Sequence, residues 1–355
     1  PLPGLGHSSP VAWGDKIFLT SGEAKTGQRY VVCVTANDGK IAWKQDFDGK
    51  NYGTHKRNSI ATSTPAVDAE RVYTTWATPE ACVVIALDHA GKKVWQAELG
   101  AYPSQHGFGM SPIVHEGLVI VHQQPDGAGA VIALEATTGQ VKWKLPRKGK
   151  NATYSTPCIY AAQGKTAEVI VTNWQHGISA IDVKTGKLSW ELSVFDTAKQ
   201  ERAIASPVLA GDLVLGTCGF ITGQKHLVAV QPGEKPKEVW RLEKAVPQMA
   251  TPVVKGDRIF LCTEQGMATL LKTTTGEVVW QERLAGSFSA SPICVGKQYI
   301  CTAEDGKVTV LATADKFEQL ARNDLGEATQ STPIVVGKNL IFRTEHQLLA
   351  LPAKK

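Results

Sequence analysis

No stretch of this chain stays apolar for the ~20 residues that a membrane-spanning helix needs, so a helical span is excluded. Long windows of helical periodicity are also missing, which argues against a bundle or a helical solenoid. Seven cysteines are scattered at positions 33, 82, 158, 218, 262, 294 and 301. None forms a C-x-x-C pair, so neither a zinc ribbon nor a thioredoxin-like motif is present. Most lie within or beside apolar runs such as "YVVCV" and "IFLCT" and read as buried free thiols rather than disulfides. There is no G-x-S-x-G elbow, no phosphate-binding G-x-x-x-x-G-K-[ST] loop and no H-E-x-x-H pair. The net charge of +5, from 38 basic and 33 acidic residues, is too small and too dispersed to point to nucleic acid. The densest basic run, "KWKLPRKGK" at 142–150, reads as a solvated outer strand and loop, with an anionic partner as the second reading. The chain opens on "PLPGLGHSSP", as a trimmed product would, so compartment is not read from its start.

What the sequence does contain is a repeat. A glycine is followed four residues later by tryptophan at Gly39/Trp43, Gly91/Trp95, Gly139/Trp143, Gly186/Trp190 and Gly276/Trp280. A second motif, Ser/Thr-Pro before a short apolar segment, occurs eight times, with prolines 10, 65, 112, 157, 207, 252, 292 and 333. Between successive prolines the text reads strand, tight turn, strand, loop, strand, Thr/Asp-Gly turn, strand. Four short strands per unit of about 45 residues match one propeller blade. The expectation is therefore an all-β, eight-bladed propeller of four-stranded antiparallel blades, occupying residues 1–355 as one domain.

The Thr-Gly turn should join the third strand of a blade to the fourth, with glycine supplying a positive φ. The tryptophan then falls on the outermost strand, where neighbouring blades diverge and an indole burying ~150–250 Å² can fill the gap. Trp43, Trp95, Trp143, Trp190, Trp240 and Trp280 are accordingly read as structural docking residues. The repeat decays late: Pro236 replaces the turn glycine in blade five, blade seven ("ATADKFEQL") lacks the tryptophan, and blade eight has only three strand-like segments. Its open edge is expected to stay incomplete or to be closed by Pro1 to His7.

The string "AIDVKTGKLSW" carries the pattern A-x-D-x-x-T-G-x-x-x-W, which resembles the tryptophan-docking repeat of the quinoprotein-like (PQQ-repeat) propellers. That family has an enzymatic branch, which oxidises alcohols with pyrroloquinoline quinone and calcium, and a BamB-like binding branch. The enzymatic branch implies adjacent cysteines, a calcium cage of acidic and amide residues, an aspartate base and a longer chain. This sequence has no Cys-Cys pair and no evident acidic cluster, so the binding branch, without quinone or calcium, is the expected one. The resemblance further implies an exported, periplasmic protein, here expected to be a monomer. A quinoprotein-type oxidoreductase or other ligand-binding enzyme, with its site at the channel mouth, is the alternative.

Topology places the expected working face. The A–B and C–D turns are short and repetitive, whereas the D–A and B–C loops, at the end where each first strand starts, vary in length and chemistry. Residues just before each Ser/Thr-Pro include His7, Arg57, Asn58, His106, Tyr154, Arg202, Gln248 and Gln330, and the B–C loops add Trp174 and His176. Together they are candidates to ring one opening and to bind a protein or an anionic ligand. Each has a plainer reading as well: a histidine satisfied at a strand start, an arginine clamping a neighbouring blade's carbonyls, a tryptophan capping a sheet. No catalytic or metal-ligating residue is assigned.

Overall fold

The computed structural model describes residues 1–162, 164, 166–198, 201–220 and 223–352. Among these residues every regular element is a β-strand. The strands form eight sheets, seven of four strands and one of three, each connected up-and-down in sequence order. This is the eight-bladed β-propeller that the repeat predicts. Blade 1 comprises β1 (Val11–Trp13), β2 (Lys16–Gly22), β3 (Arg29–Thr35) and β4 (Ile41–Phe47). Blade 2 comprises β5 (Ala66–Val67), β6 (Arg71–Ala77), β7 (Cys82–Asp88) and β8 (Lys93–Gly100). By contact the chain divides into two compact units. The first holds Pro1–Arg147 with the C-terminal stretch from Ser331, which is blades 1–3 and 8; the second, Lys148–Gln330, holds blades 4–7.

Sequence pattern sets which strand lies where within a blade. The two middle strands are apolar on both faces and almost wholly buried, as in "IFLTSG" of β2 and "RYVVCV" of β3. The fourth strand alternates, with "IAWKQDF" of β4 exposing every second side chain. A strand buried on both sides must lie inside the blade stack, and an alternating one at its outer margin.

The glycine–tryptophan repeat is a lock between successive blades. Trp43 Nε1, in blade 1, donates to His89 O of blade 2 at 3.0 Å, and Trp95 Nε1 donates to Ala136 O of blade 3 at 2.9 Å. In the second unit Trp240 and Trp280 donate in the same way to Thr273 O and Ala314 O, both at 2.9 Å. Glycine is needed there for more than its φ of +89° at Gly91. A methyl group at Gly91 would lie 2.7 Å from Trp43 Cδ2, and one at Gly139 2.5 Å from Trp95 Cε3. The turns of blades 2, 3 and 6 thus clear space for the indole of the blade before each. Trp190 breaks the pattern because blade 5 has Pro236 rather than a turn glycine; its Nε1 stays in its own blade, on Glu168 Oε2 at 3.3 Å.

The Ser/Thr of six of the eight Ser/Thr-Pro motifs, three within each unit, forms a second lock that the motif alone does not explain. Its hydroxyl accepts the backbone N–H of the equivalent residue one blade earlier. In the first unit Thr332 N donates to Ser9 Oγ (3.0 Å), Ser9 N to Thr64 Oγ1 (2.9 Å) and Thr64 N to Ser111 Oγ (3.0 Å). In the second, Thr156 N, Ser206 N and Thr251 N donate to Ser206, Thr251 and Ser291 in turn, at 2.9–3.1 Å.

Blade 8 has three strands, Ile334–Val336, Asn339–Arg343 and Leu348–Pro352. The N-terminal residues pack beside it without adding a fourth: Leu2 N donates to His346 O at 2.7 Å and Leu2 joins the core that blades 1 and 8 share. All seven cysteines are free thiols. Burial raises several of them, Cys33 to about 11 and Cys82 and Cys158 to about 12, which keeps them protonated and unreactive at neutral pH.

Candidate functional site

In the first unit, two loops from successive blades meet. The segment 48–65, after β4, and the segment 101–112, after β8, are joined at one carbonyl: His106 O accepts His55 N at 3.2 Å and Asn58 Nδ2 at 2.8 Å. Asn58 Oδ1 turns inward to accept Ser59 N and Thr62 Oγ1, so this amide fixes both loops at once. The imidazoles of His55 and His106 lie edge-to-face, 5.2 Å apart. Arg57 N donates to His55 Nδ1 at 3.2 Å, which orients that ring. Lys56 is exposed beside it. Of the sequence candidates, Arg57, Asn58 and His106 are therefore brought together, and His55, not singled out from sequence, completes the group. Segments 48–65 and 101–112 contain Lys50, Lys56, Arg57 and two histidines against one acidic residue, Asp48, and Asp126 Oδ2 accepts Gln105 N at 2.7 Å beside them.

His7 lies on the approach to β1, its N–H on Ala61 O at 3.0 Å. Burial and the nearby Arg343 guanidinium push its pKa down to about 4, so the ring is neutral at physiological pH. Arg343 is itself fully buried: Nη1 donates to Ser8 O (2.9 Å), Ser8 Oγ (2.6 Å) and Thr20 O (2.7 Å), and burial lowers its pKa to about 9.

The second unit places its candidates in bonded positions. Arg202 pairs its backbone with Gly219 and donates Nη1 to Ala152 O at 3.1 Å. Gln248 Nε2 donates to Gly219 O at 3.0 Å, while Gln248 N and Met249 N donate to Glu264 Oε1 at 2.6 and 2.8 Å. The other Glu264 oxygen takes Lys225 Nζ at 2.8 Å, so this buried carboxylate is fully engaged. Tyr154 N donates to Ala203 O, and its side chain is half-buried, as is Gln330. Trp174 is buried and donates Nε1 to Asp196 O at 3.0 Å. His176 Nδ1 lies 3.1 Å from Glu191 Oε1, and its Nε2 lies 3.2 Å from Lys148 N and 3.0 Å from Lys148 O, so both ring nitrogens are engaged.

Among the described residues no group of three or more His, Cys, Asp or Glu side chains converges as a metal site requires. Nor does any described helix exist that could cross a membrane. What the loops of the first unit offer is basic and imidazole side chains carried between blades.

Curated relatives of this chain are redox enzymes matched over part of their length. The chain is 25% identical to the quinohemoprotein alcohol dehydrogenase ADH IIB of Pseudomonas putida over 151 residues, which is 41% of this chain and 21% of that protein. It is 23% identical to the polyvinylalcohol dehydrogenase of a Pseudomonas species over 229 residues, 53% of this chain and 34% of that protein. It thus spans between a fifth and about a third of these relatives' length. Among solved structures, BamB from Moraxella catarrhalis matches 97% of this chain and 92% of its own, with a TM-score of 0.67 and 17% identity, a likeness of fold. The profile of the PQQ-repeat family named for outer membrane protein assembly factor BamB matches residues 2–110, 64–249 and 225–355. Matched from end to end in this way, the chain belongs to that BamB-type PQQ-repeat propeller family.

Proposed function

We propose that this chain is a non-catalytic binding scaffold, exported to the periplasm, which docks an acidic surface of a protein partner on the joined loops 48–65 and 101–112. The carrying observation is the cluster at His106 O, where Lys56, Arg57, His55 and His106 lie on two interlocked loops whose cations and imidazoles outnumber the nearby carboxylates of Asp48 and Asp126. Rigid blades beneath mobile-length loops are the usual way propellers present a binding surface. Basic side chains there would steer an acidic partner and give the association a strong salt dependence. Family membership supports a role of the kind named for BamB, in outer membrane protein assembly.

A photo-crosslinking residue at Lys56, compared with one at the exposed Lys338 in a short turn of blade 8, tests the reading in cells. Adducts to a defined protein are expected from position 56 and not from 338, and Arg57→Glu should diminish them. Equal adducts from both positions, or none from 56, overturn the loop assignment. Incubation with pyrroloquinoline quinone and calcium, followed by an alcohol dye-reduction assay, addresses the catalytic branch; clear turnover would overturn the non-catalytic reading.

A further inference from the structure

Between blades 1 and 2, inside the first unit, lies a cavity of about 550 Å³. It opens between the end of β4 and the β6–β7 connection. Its size is that of small-molecule sites, which run to roughly 300–1,000 Å³.

Arg29, the first residue of β3, lines it and is only 4% exposed. Its Nη2 donates weakly to Ala77 O at 3.4 Å, and its guanidinium sits 5.9 Å from the centre of the Tyr52 ring. No carboxylate among the described residues forms an ion pair with it, and Arg29 Nε has no hydrogen-bond partner there. A buried cation without a counter-charge is costly, and proteins normally pair one or neutralise it. The position is a built one. A methyl group at Gly49 would collide with Arg29 Nη1 and with Gly27 O, so the two glycines let the loops close around the guanidinium.

The wall also carries a tryptophan. Trp76, at 3% exposure on β6, has its indole N–H without a partner among the described residues. Its ring lies 5.0 Å from that of Phe47, and Val83 continues the apolar wall. Three acidic residues line it, all exposed: Asp46, paired with Lys44 at 2.8 Å, Glu80, which accepts Thr78 Oγ1 at 2.9 Å, and Asp48.

The geometry points to a ligand site for a carboxylate carried on an apolar, preferably aromatic, body: the anion would meet Arg29 and the Trp76 N–H while the body lies against Phe47 and Trp76. A free small acid and the C-terminal residue of a peptide share this chemistry. The cavity borrows the start of the loop 48–65 (Asp48, Gly49 and Lys50) for part of its wall, but the proposal rests on Arg29 and Trp76 and does not depend on the docking reading.

Isothermal titration of the whole chain with 3-phenylpropanoate, with an N-acetylated tripeptide ending in a free aromatic residue, and with the amide of each, tests it. Saturable binding of at least one acid is expected, with its amide about tenfold or more weaker, as for loss of a charge-assisted hydrogen bond. Whichever acid binds more tightly identifies the source. Arg29→Gln should weaken the acid about tenfold or more and leave the amide unchanged. Trp76→Phe, which keeps the ring and the packing, should weaken it by a few-fold to about tenfold and serves if the arginine variant does not fold. Failure of both acids to saturate, equal binding of acid and amide, or wild-type affinity in folded Arg29→Gln or Trp76→Phe would overturn the proposal.

Discussion

The two flanks of blade 1 solve the same packing problem with different chemistry. Toward blade 2, Trp43 lays its indole over Gly91 and donates to His89 O. Toward blade 8 no tryptophan is available, and a side chain at the equivalent glycine, Gly39, would meet nothing within 4 Å. That flank is held by the buried Arg343, which bonds Ser8 and Thr20, by Ser331 Oγ on Ser8 O at 3.1 Å, and by the N-terminal residues on the turn of blade 8. One flank is stabilised by burying area, the other by hydrogen bonds to a buried cation. The second kind is conditional on pH and on every partner being in place.

The largest effect should come from removing the indole. Trp43→Ala deletes a large, partly buried ring and is expected to destabilise the chain by about 3 kcal/mol, the lower end for such truncations. Denaturant midpoints measure it. A loss below about 1 kcal/mol would mean that the blade 1–2 flank does not rest on this residue, and the contrast with the other flank would fail.

Acid should separate the flanks next. His7 has its pKa lowered from 6.5 to about 4 by burial and by Arg343. The unfolded chain therefore binds the His7 proton more readily than the folded one, and stability falls as pH drops from about 6.5 through about 4. The loss attributable to this residue is at most about 3.5 kcal/mol, at ~1.4 kcal/mol per pKa unit. His7→Gln should flatten that part of the pH profile, and Trp43→Ala should leave its slope unchanged. An unaltered slope in His7→Gln would place the pH dependence elsewhere.

Much of this was legible in the sequence, because periodic packing writes periodic text. The five glycine–tryptophan pairs and eight Ser/Thr-Pro motifs required eight blades, and the missing strand of blade 8 showed as a missing segment. What the glycine does was only half legible: a positive φ follows from a turn, but the clash with the preceding blade's indole needs the third dimension. The site was harder still. His106 was visible as a loop histidine, yet its backbone carbonyl, which no side-chain letter encodes, is what joins the loops. Arg29 reads as an ordinary strand-starting charge in "RYVVCV"; only burial and the absent counter-charge distinguish it.

The glycines themselves give a sharper comparison with a smaller effect. Gly39 and Gly91 both sit at positive φ, +70° and +89°, so alanine strains either backbone by roughly 1–2 kcal/mol. At Gly91 the new methyl must also displace Trp43, 2.7 Å away, whereas at Gly39 it enters open space. Gly91→Ala should therefore cost about 1–3 kcal/mol more than Gly39→Ala, as overpacking does. Equal losses would show that the indole shifts freely and that the lock is looser than its geometry.

The smallest expected effect is where the flanks should agree. Both carry the same hydroxyl latch: Thr64 Oγ1 accepts Ser9 N toward blade 2, and Ser9 Oγ accepts Thr332 N from blade 8. Thr64→Val and Ser9→Ala each remove one acceptor and leave one backbone N–H without its partner. Both sites are partly buried, so water can replace some of the lost bond, and each variant should lose about 1 kcal/mol. Neither loss should vary between pH 4 and 7, because no titrating group forms the latch. A loss in Ser9→Ala well above that in Thr64→Val would have a specific cause. Ser9 adjoins Ser8, which Arg343 holds through its carbonyl and hydroxyl, so the excess would measure how far the latch and the buried cation act as one unit on the blade 8 flank.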